Sequence, residues 1–240
     1  MKYLVFQHVP HEPIGLIGPV LKKQKITIEI IEFWKKSWKI PDTKKFDGLI
    51  IMGGPMGVYE GPDVFPSKEA EVGVINEFIA GKKPVIGFCL GAQLLAYSQG
   101  GKVYQNRRLG KRIKEIGYYT VDLTPKGITD PLLTGFPNPM EVTQWHGDAF
   151  DIPEGGVKLA GSPLCENQAF RLGKSAYGFL FHFELSPELI ANLIKVDKKW
   201  IHEDFEMDEE RLLKQAQEKK DLMIAQCQRL FTNFKKLASG

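Results

Sequence analysis

Residues 85–96 read VIGFCLGAQLLA, and this stretch decides the fold of the 240-residue chain. An apolar run of strand character leads into Cys89, glycines stand two positions before and after it, and a helix-forming sequence follows at once. A lone cysteine in such a place is usually a small buried hydrophobe. It can also be a nucleophile, because the Gly-x-Cys-x-Gly spacing matches the Gly-x-Ser-x-Gly elbow, where small neighbours tolerate a strained turn that lifts the reactive side chain out of the sheet.

Strands and helices alternate around this stretch. Strand-like runs occupy residues 2–6, 26–31, 47–52 and 84–88, and helix-like patterns occupy residues 14–21 and 67–80. Alternating segments with continuously apolar strands predict an α/β fold, with a mainly parallel sheet covered by helices on both faces. Ligands of such sheets bind beyond the carboxyl ends of the strands, and Cys89 lies at such an end.

The rest of the chain has a different character. Residues 113–184 contain five strand-like runs separated by Pro, Gly and Asn turns, which predicts a strand-rich mid-section. After Ser186 the chain becomes helical, and one last helix is predicted from about residue 208 to about residue 237. Its apolar stripe is interpreted as packing on the body of the fold, with a subunit contact as the alternative. We expect residues 1–190 to form one domain and residues 191–240 a helical extension packed on it.

Composition and charge are those of an ordinary globular protein. The chain has 43% hydrophobic and 25% charged residues and a formal net charge of +3, which does not favour a nucleic-acid partner. Two basic runs, residues 33–45 and 106–114, are interpreted as solvated faces. One alternative for both runs is nucleic-acid binding, which the small net charge weakens, and another is the docking of a synthetase or of an acidic acceptor substrate.

Several kinds of signal are absent from the sequence. It has no signal-peptide pattern and no run of eighteen apolar residues, so we expect a cytoplasmic protein without membrane contact. Its three cysteines form an odd and sparse set that fits reduced thiols. It has neither the ligand spacing of a metal site nor a dinucleotide fingerprint, so we expect no metal and no cofactor.

A cysteine nucleophile needs a base, and five histidines are candidates. His8 and His11, in QHVPHEP, are interpreted as rim or turn residues, and His202 as a surface residue. His182 ends the apolar run AYGFLFHFE, and in an extended strand Glu184 would project on the same face. A carboxylate there would fix the tautomer of the imidazole and stabilise its protonated form. A half-buried ion pair is the alternative interpretation.

Two further features bear on acyl-transfer chemistry. The start of a helix directly after Cys89 is expected to favour the thiolate, which is the nucleophilic form. The segment IIMGGPMGVYEGP leaves its strand through Gly53 and Gly54, which let a backbone N–H point into the cleft as a donor for an oxyanion. Turn chemistry alone would also explain these glycines, and the segment lacks the Gly-Lys-Ser/Thr ending of a phosphate loop.

Four segments together resemble the class I glutamine amidotransferases, the triad-type glutaminases, and in particular their stand-alone, GMP-synthase-like members. They are MGGPMGVYE at 52–60, GFCLGAQLLA at 87–96, QWHGDAFDIPEG at 144–155 and YGFLFHFELSPE at 177–188. The resemblance implies a flavodoxin-like open sheet. It also implies that Cys89 attacks the side-chain amide of glutamine to give a glutamyl thioester and ammonia, with His182 as general base and acid and Glu184 as the orienting carboxylate.

The resemblance extends to the surroundings of the nucleophile. It implies oxyanion donors at the backbone N–H groups of Gly54 and Leu90. It implies substrate contacts from Gln93, Trp145, His146, Gly147 and Asp148. Because Asp148 follows His146 at i+2, His146 is a rival base, but the catalytic motif of the family falls at His182. The chain departs from the usual Gln-Phe-His-Pro-Glu at Leu180 and Phe183, which affects the wall around the site.

The sequence leaves three functions open. The first is a free-standing glutaminase subunit that passes ammonia to a separate acceptor enzyme or synthetase. The second is a hydrolase of γ-glutamyl peptides, which would attack the same carbonyl carbon but release an amine. The third is a non-catalytic module that binds glutamine or a partner protein, although a complete set of Cys89, His182 and Glu184 argues against it.

Overall fold

The computed structural model of the chain describes residues 1–203 and 206–239, and its centre is a nine-stranded sheet. The sheet order is β2 (Thr27–Glu32), β1 (Lys2–Gln7), β3 (Gly48–Ile51), β4 (Val85–Phe88), β13 (Ala176–Phe179), β12 (Ala169–Leu172), β11 (Val157–Gly161), β8 (Glu115–Leu123) and β9 (Met140–His146). Two short pairs lie beside it: β5 (Val103–Gln105) with β10 (Asp148–Phe150), and β6 (Arg107–Arg108) with β7 (Lys111–Arg112).

The helices connect and cover these strands. They are α1 (Ile17–Lys23), α2 (Lys68–Ala80), α3 (Leu90–Ser98), α4 (Pro125–Ile128), α5 (Pro187–Val196), α6 (Lys198–His202), α7 (Glu209–Glu218) and α8 (Lys220–Ser239), with a 3₁₀ turn at Thr43–Lys45. Across residues 1–203 and 206–239, no helix is both long and apolar enough to cross a membrane.

The sheet has a parallel half and an antiparallel half. Strands β2, β1, β3, β4 and β13 pair in parallel, and the remaining pairs are antiparallel. This confirms the predicted α/β class, its parallel sheet around Cys89 and its strand-rich mid-section. The carboxyl ends of β3, β4 and β13 meet at one edge, so the loops that follow them lie side by side.

Both faces of the parallel half are buried by helices. Alternate residues of a strand point to opposite faces, and in β1 Val5 joins the apolar cluster that includes α1 and α8, whereas Phe6 joins the cluster that includes α2 and α3. The apolar sequences of the inner strands β3, β4 and β13 are explained by this double burial, whereas the edge strand β2 is partly exposed, with Ile30 at 38%.

The single C-terminal helix predicted from residue 208 to residue 237 is wrong, because the chain breaks at Lys219 into α7 and α8. Leu212 of α7 packs in a cluster with Ile190 of α5, whereas Phe234 of α8 packs in the main core. The apolar residues of one straight helix could not face both clusters. Leu222, beside the break, is 38% exposed. Within residues 191–240, positions 204, 205 and 240 lie outside the described residues, and the division into domain and extension stays a prediction.

Candidate active site

Cys89 lies in a strained turn between β4 and α3. Its φ and ψ are 49° and −108°, a conformation that non-glycine residues rarely adopt and that is typical of functional sites. Its backbone N–H donates to the carbonyl of Phe179 on the neighbouring β13 at 2.8 Å. A Cβ atom at Gly91 would lie 2.2 Å from the carbonyl oxygen of Ile51, and one at Gly87 would lie 2.4 Å from the backbone of Gly91. The flanking glycines are therefore required by the close approach of backbone segments.

His182 and Glu184 form a buried pair beside this turn. Strand β13 ends at Phe179, and His182 lies beyond it in an isolated bridge with Thr143 of β9. The pair is therefore not carried by an extended strand, as the sequence interpretation assumed. The carboxylate still reaches the ring, with Nδ1 of His182 at 2.5 Å from Oε1 of Glu184, and its other oxygen accepts from the N–H of Phe183 at 3.0 Å. Both side chains are buried.

The thiol and the imidazole influence each other. Burial raises the pKa of the Cys89 thiol, and the neighbouring His182 opposes this shift. The N–H of Leu90 at the helix start lowers the pKa, as expected, but burial acts more strongly in the opposite direction. Burial would lower the pKa of His182, but Glu184 and Cys89 raise it well above its usual value. Glu184 thus makes His182 a stronger base for the proton of the thiol.

The two backbone groups implied as oxyanion donors flank Cys89. The N–H of Leu90, the first residue of α3, interacts with the sulfur. Gly54 lies in the loop after β3, where a Cβ atom would lie 2.7 Å from Cδ2 of Leu90. In the part of the chain that the structure describes, the N–H of Gly54 donates to no acceptor. Gly54 and Leu90 are thus neighbours at the end of the sheet.

A cleft of about 380 Å³ opens above the thiol. Its lining includes Cys89 and the residues implied as substrate contacts: Gln93, Trp145, His146, Gly147 and Asp148. The carbonyl of Trp145 accepts from the sulfur of Cys89 at 3.7 Å. The rival base His146 is turned elsewhere, because its Nδ1 donates to the carbonyl of Asp148 at 3.2 Å and its Nε2 lies 3.3 Å from Glu115.

Comparison with known proteins decides the family of the chain. The family model "Glutamine amidotransferase class-I" matches residues 17–196. The chain belongs to this family. The chain is 34% identical over 192 residues to the glutamine amidotransferase-like protein YfeJ of Salmonella typhimurium, with 78% of each chain covered.

Longer relatives and solved structures agree with this assignment. The chain is 31% identical over 229 residues to a glutamine-hydrolysing GMP synthase of Latilactobacillus sakei, a match that covers 83% of this chain and 40% of that protein. It thus spans less than half of the length of that relative. A crystal structure of a glutamine amidotransferase from Thermotoga maritima superimposes with a TM-score of 0.87 at 26% identity, covering 100% of this chain and 99% of that one.

Two acidic side chains that the sequence analysis did not predict, Glu12 and Asp197, also line the cleft. Burial raises the pKa of Glu12 to about 7, helped by the charge of Asp197 and opposed by that of His182. Asp197 accepts from Nε1 of Trp145 at 2.9 Å. No sequence pattern links Glu12 or Asp197 to the catalytic segments. Throughout the described ranges, no group of three or more His, Cys, Asp or Glu side chains is arranged to hold a metal ion.

The interpretation of His8 as a rim or turn residue is wrong. Pro10 and His11 do lie in a turn, but His8 itself is buried at the end of β1. Its ring contacts Glu71 of α2 and the carbonyl oxygen of Gly53. Gly53 and Gly54 lie in the loop after β3, here called the glycine loop. The physical reason is the register of the sheet: Phe6 of β1 pairs with Ile51 of β3, so His8 and Gly53 each lie two positions beyond that pair. His202, in contrast, lies at the surface, and its Nε2 is 2.7 Å from Oε1 of Glu209.

Proposed function

We propose that this amidotransferase hydrolyses the side-chain amide of L-glutamine through a thioester on Cys89. His182 takes the thiol proton as the sulfur attacks the amide carbon, and the N–H groups of Gly54 and Leu90 donate to the oxyanion. His182 then protonates the leaving nitrogen, which departs as ammonia. Water, deprotonated by His182, attacks the thioester, so that glutamate leaves and the thiol is restored. Glu184 orients His182 and stabilises its protonated form throughout.

One observation carries this proposal. Nδ1 of His182 contacts the carboxylate of Glu184. Among the described residues, Nε2 of His182 makes no hydrogen bond. The side chain of His182 is close enough to Cys89 for the two to interact. A nucleophile, a base and a group that orients the base are the three parts that cysteine catalysis needs. A module that only bound glutamine would not need this arrangement, so the non-catalytic function is the least supported.

The cleft supports glutamine as substrate and suggests where its two ends lie. Gln93 and the segment from Trp145 to Asp148 line the cleft beside the thiol, and we assign them to the amino-acid end of the substrate. Arg112 lines the same cleft and offers a positive charge for the α-carboxylate. The ammonia would pass to an acceptor enzyme of the synthetase type, by analogy with the glutamine-hydrolysing GMP synthases. Because all three cysteines are free, we place the reaction in the reducing cytoplasm.

A second candidate reaction is the hydrolysis of γ-glutamyl amines or peptides. Glu12 and Asp197 line the cleft, and Glu12 interacts with His182, the group that would protonate the leaving nitrogen. A leaving group that carries a further positive charge would be attracted by these carboxylates. The cleft also continues past Cys89 to Tyr59 and Trp200, which leaves space for a leaving group larger than ammonia.

The test compares substrates on the full chain. L-glutamine and a γ-glutamyl dipeptide are incubated separately with the protein, and ammonia, amine and glutamate are measured. Cys89→Ala should abolish all release, whereas Cys165→Ala, which removes another buried cysteine, should not. Faster release of glutamate from the dipeptide than from L-glutamine would mean that the protein acts mainly as a peptidase and not as a glutaminase. If neither substrate reacts, a chloroketone analogue of glutamine is added: labelling of Cys89 indicates an enzyme that needs its partner, and no labelling contradicts the proposal.

A further inference from the structure

A second buried histidine–glutamate pair lies behind the glycine loop. Nδ1 of His8 lies 2.8 Å from the carbonyl oxygen of Gly53, and Nε2 lies 2.8 Å from Oε2 of Glu71. The other oxygen of Glu71 accepts from the hydroxyl of Ser67 at 2.7 Å. The side chains of His8 and Glu71 are fully buried. The chain Ser67–Glu71–His8–Gly53, here called the loop relay, therefore ends on the backbone next to Gly54.

The contacts of the loop relay constrain where the ring of His8 carries hydrogen. A carbonyl oxygen only accepts, so Nδ1 of His8 carries a hydrogen, and a carboxylate that already receives a bond from Ser67 also accepts at Nε2. Both contacts are satisfied together when the ring is doubly protonated. Burial would lower the pKa of His8, but the charge of Glu71 and hydrogen bonds to Glu71 and Gly53 outweigh it and raise the pKa, with a smaller contribution from Glu12.

The loop relay acts on the peptide that supplies the Gly54 N–H. This peptide is trans, so the carbonyl of Gly53 and the N–H of Gly54 point in opposite directions. A hydrogen bond that holds the carbonyl of Gly53 towards His8 therefore directs the N–H of Gly54 away from His8. A charged donor on a carbonyl also polarises the peptide and strengthens the N–H as a donor. A Cβ atom at Gly53 would lie 3.6 Å from Cε1 of His182, so this peptide borders the catalytic pair.

Local structure supports a dedicated role for the loop relay. Ser67 occupies the N-cap of α2, yet its hydroxyl makes no capping bond and donates to Glu71 instead. The ring of His8 lies between Phe33 and Phe65, with centroid distances of 5.8 Å to each, which fixes its position. A buried ion pair contributes little net stability compared with apolar residues of the same volume. What the pair does provide is a charged donor at a fixed place.

We propose that His8, held by Glu71 and Ser67, is a positioning residue of the oxyanion hole: it fixes and polarises the Gly53–Gly54 peptide so that the N–H of Gly54 meets the developing oxyanion. This inference rests on the proposed amide hydrolysis. It predicts that changes at His8 act on the rate of the chemical step and leave substrate affinity and the reactivity of the thiol unchanged.

The experiment compares His8→Ala, His8→Asn and His8→Gln in the full chain, with L-glutamine or the γ-glutamyl dipeptide as substrate. The amide nitrogen of Asn superimposes on Nδ1 of histidine and can reach Gly53, whereas that of Gln superimposes on Nε2 and faces Glu71. We expect His8→Ala to lower kcat about 100-fold with KM little changed, as for the loss of one oxyanion donor. His8→Asn should recover most of that loss, and His8→Gln should not.

Two further measurements separate positioning from structural damage. The rate at which iodoacetamide alkylates Cys89 needs no oxyanion hole, so it should be the same in wild type and in all three variants. Thermal unfolding gives the stability of each variant. If kcat follows stability, if Asn and Gln rescue equally, or if His8→Ala retains full kcat, the positioning role is wrong although the proposed function stands. If the wild type itself hydrolyses neither substrate, the proposed function fails and this inference with it.

Discussion

Two histidine–glutamate pairs flank the same glycine loop, and they differ in how many ring nitrogens are occupied. Both pairs are buried, with nitrogen–oxygen distances of 2.5 Å in His182–Glu184 and 2.8 Å in His8–Glu71. Nε2 of His182 is available to Cys89. Both ring nitrogens of His8 are occupied, one by Glu71 and one by the carbonyl of Gly53. The first pair can exchange a proton with a reacting group, and the second cannot without breaking a bond.

The difference teaches that residue type and burial do not by themselves identify a catalytic histidine. What distinguishes the two is the second contact of the ring: a thiol in one case and a backbone carbonyl in the other. A ring that bonds a carbonyl acts on the geometry of the backbone. Four substitutions test this contrast, and they follow in order of decreasing expected effect.

His182→Gln should have the largest effect. The amide keeps a polar atom near the position of Nε2 but cannot take the proton of Cys89, so we expect kcat for amide hydrolysis to fall about 10³-fold. Steady-state release of glutamate measures this. The matched control is His202→Gln, at an exposed histidine that should not affect the rate. If the His182→Gln variant kept nearly full activity, a residue other than His182 would be the base.

Gly54→Ala tests the backbone that the second pair holds. A Cβ atom there would lie 2.7 Å from Leu90 and 3.0 Å from Cβ of His8, so the loop must move. Displacing one oxyanion donor should lower kcat about 10²-fold with a small change in KM. Gly61→Ala is the control, because no atom lies within 4 Å of the added methyl group. Equal effects of the two changes would argue that the Gly54 N–H is no donor.

Glu12→Gln tests the carboxylate that interacts with both histidines. Its pKa is about 7 in the fold against an ordinary value of 4.5, so the native state binds the proton more tightly and loses stability as the pH rises through this window. The variant should match the wild type near pH 4 and exceed its free energy of unfolding by about 1–3 kcal/mol near pH 8. Urea unfolding at both pH values measures this.

The pH dependence itself is the decisive part of the Glu12 test. The exposed Glu69→Gln serves as control and should give the same small difference at both pH values. A stabilisation by Glu12→Gln that is equal at pH 4 and pH 8 would mean that packing, and not the charge of Glu12, is responsible.

Ser67→Ala should have the smallest effect on catalysis. It removes one of two hydrogen bonds to the buried Glu71 and leaves a carboxylate oxygen without a partner, which should lower stability by about 1–2 kcal/mol. Because His8 keeps its bonds to Glu71 and Gly53, kcat should fall less than about threefold. Thermal unfolding and steady-state kinetics measure the two quantities, with exposed Ser37→Ala as control. A larger loss of kcat would show that Ser67 is essential to the loop relay.

Where the local structure depends on residues that are close together in the chain, the sequence was sufficient to predict it. The pattern from residue 85 to residue 96 predicts a buried strand, a strained turn at Cys89 and a helix, because the glycines and the apolar run act over a few residues. His182 and Glu184 are two positions apart, so their pairing was predictable even though β13 ends before them. The direction in which the pKa of the thiol shifts was not predictable, because the burial that raises it comes from the whole fold.

What the sequence by itself determined is therefore the parallel sheet around Cys89, the turn that carries Cys89 and the pairing of His182 with Glu184, all consequences of short-range patterns. Only the tertiary structure decided that His8 meets Glu71, 63 positions away, and that Glu12 lies beside His182. These contacts depend on the register of β1 against β3 and on the packing of α2 against the sheet. The break at Lys219 was decided in the same way, because α7 and α8 bury their apolar faces in different clusters. Contacts between distant segments leave no periodic trace in the chain, so they appear only when the elements are packed together.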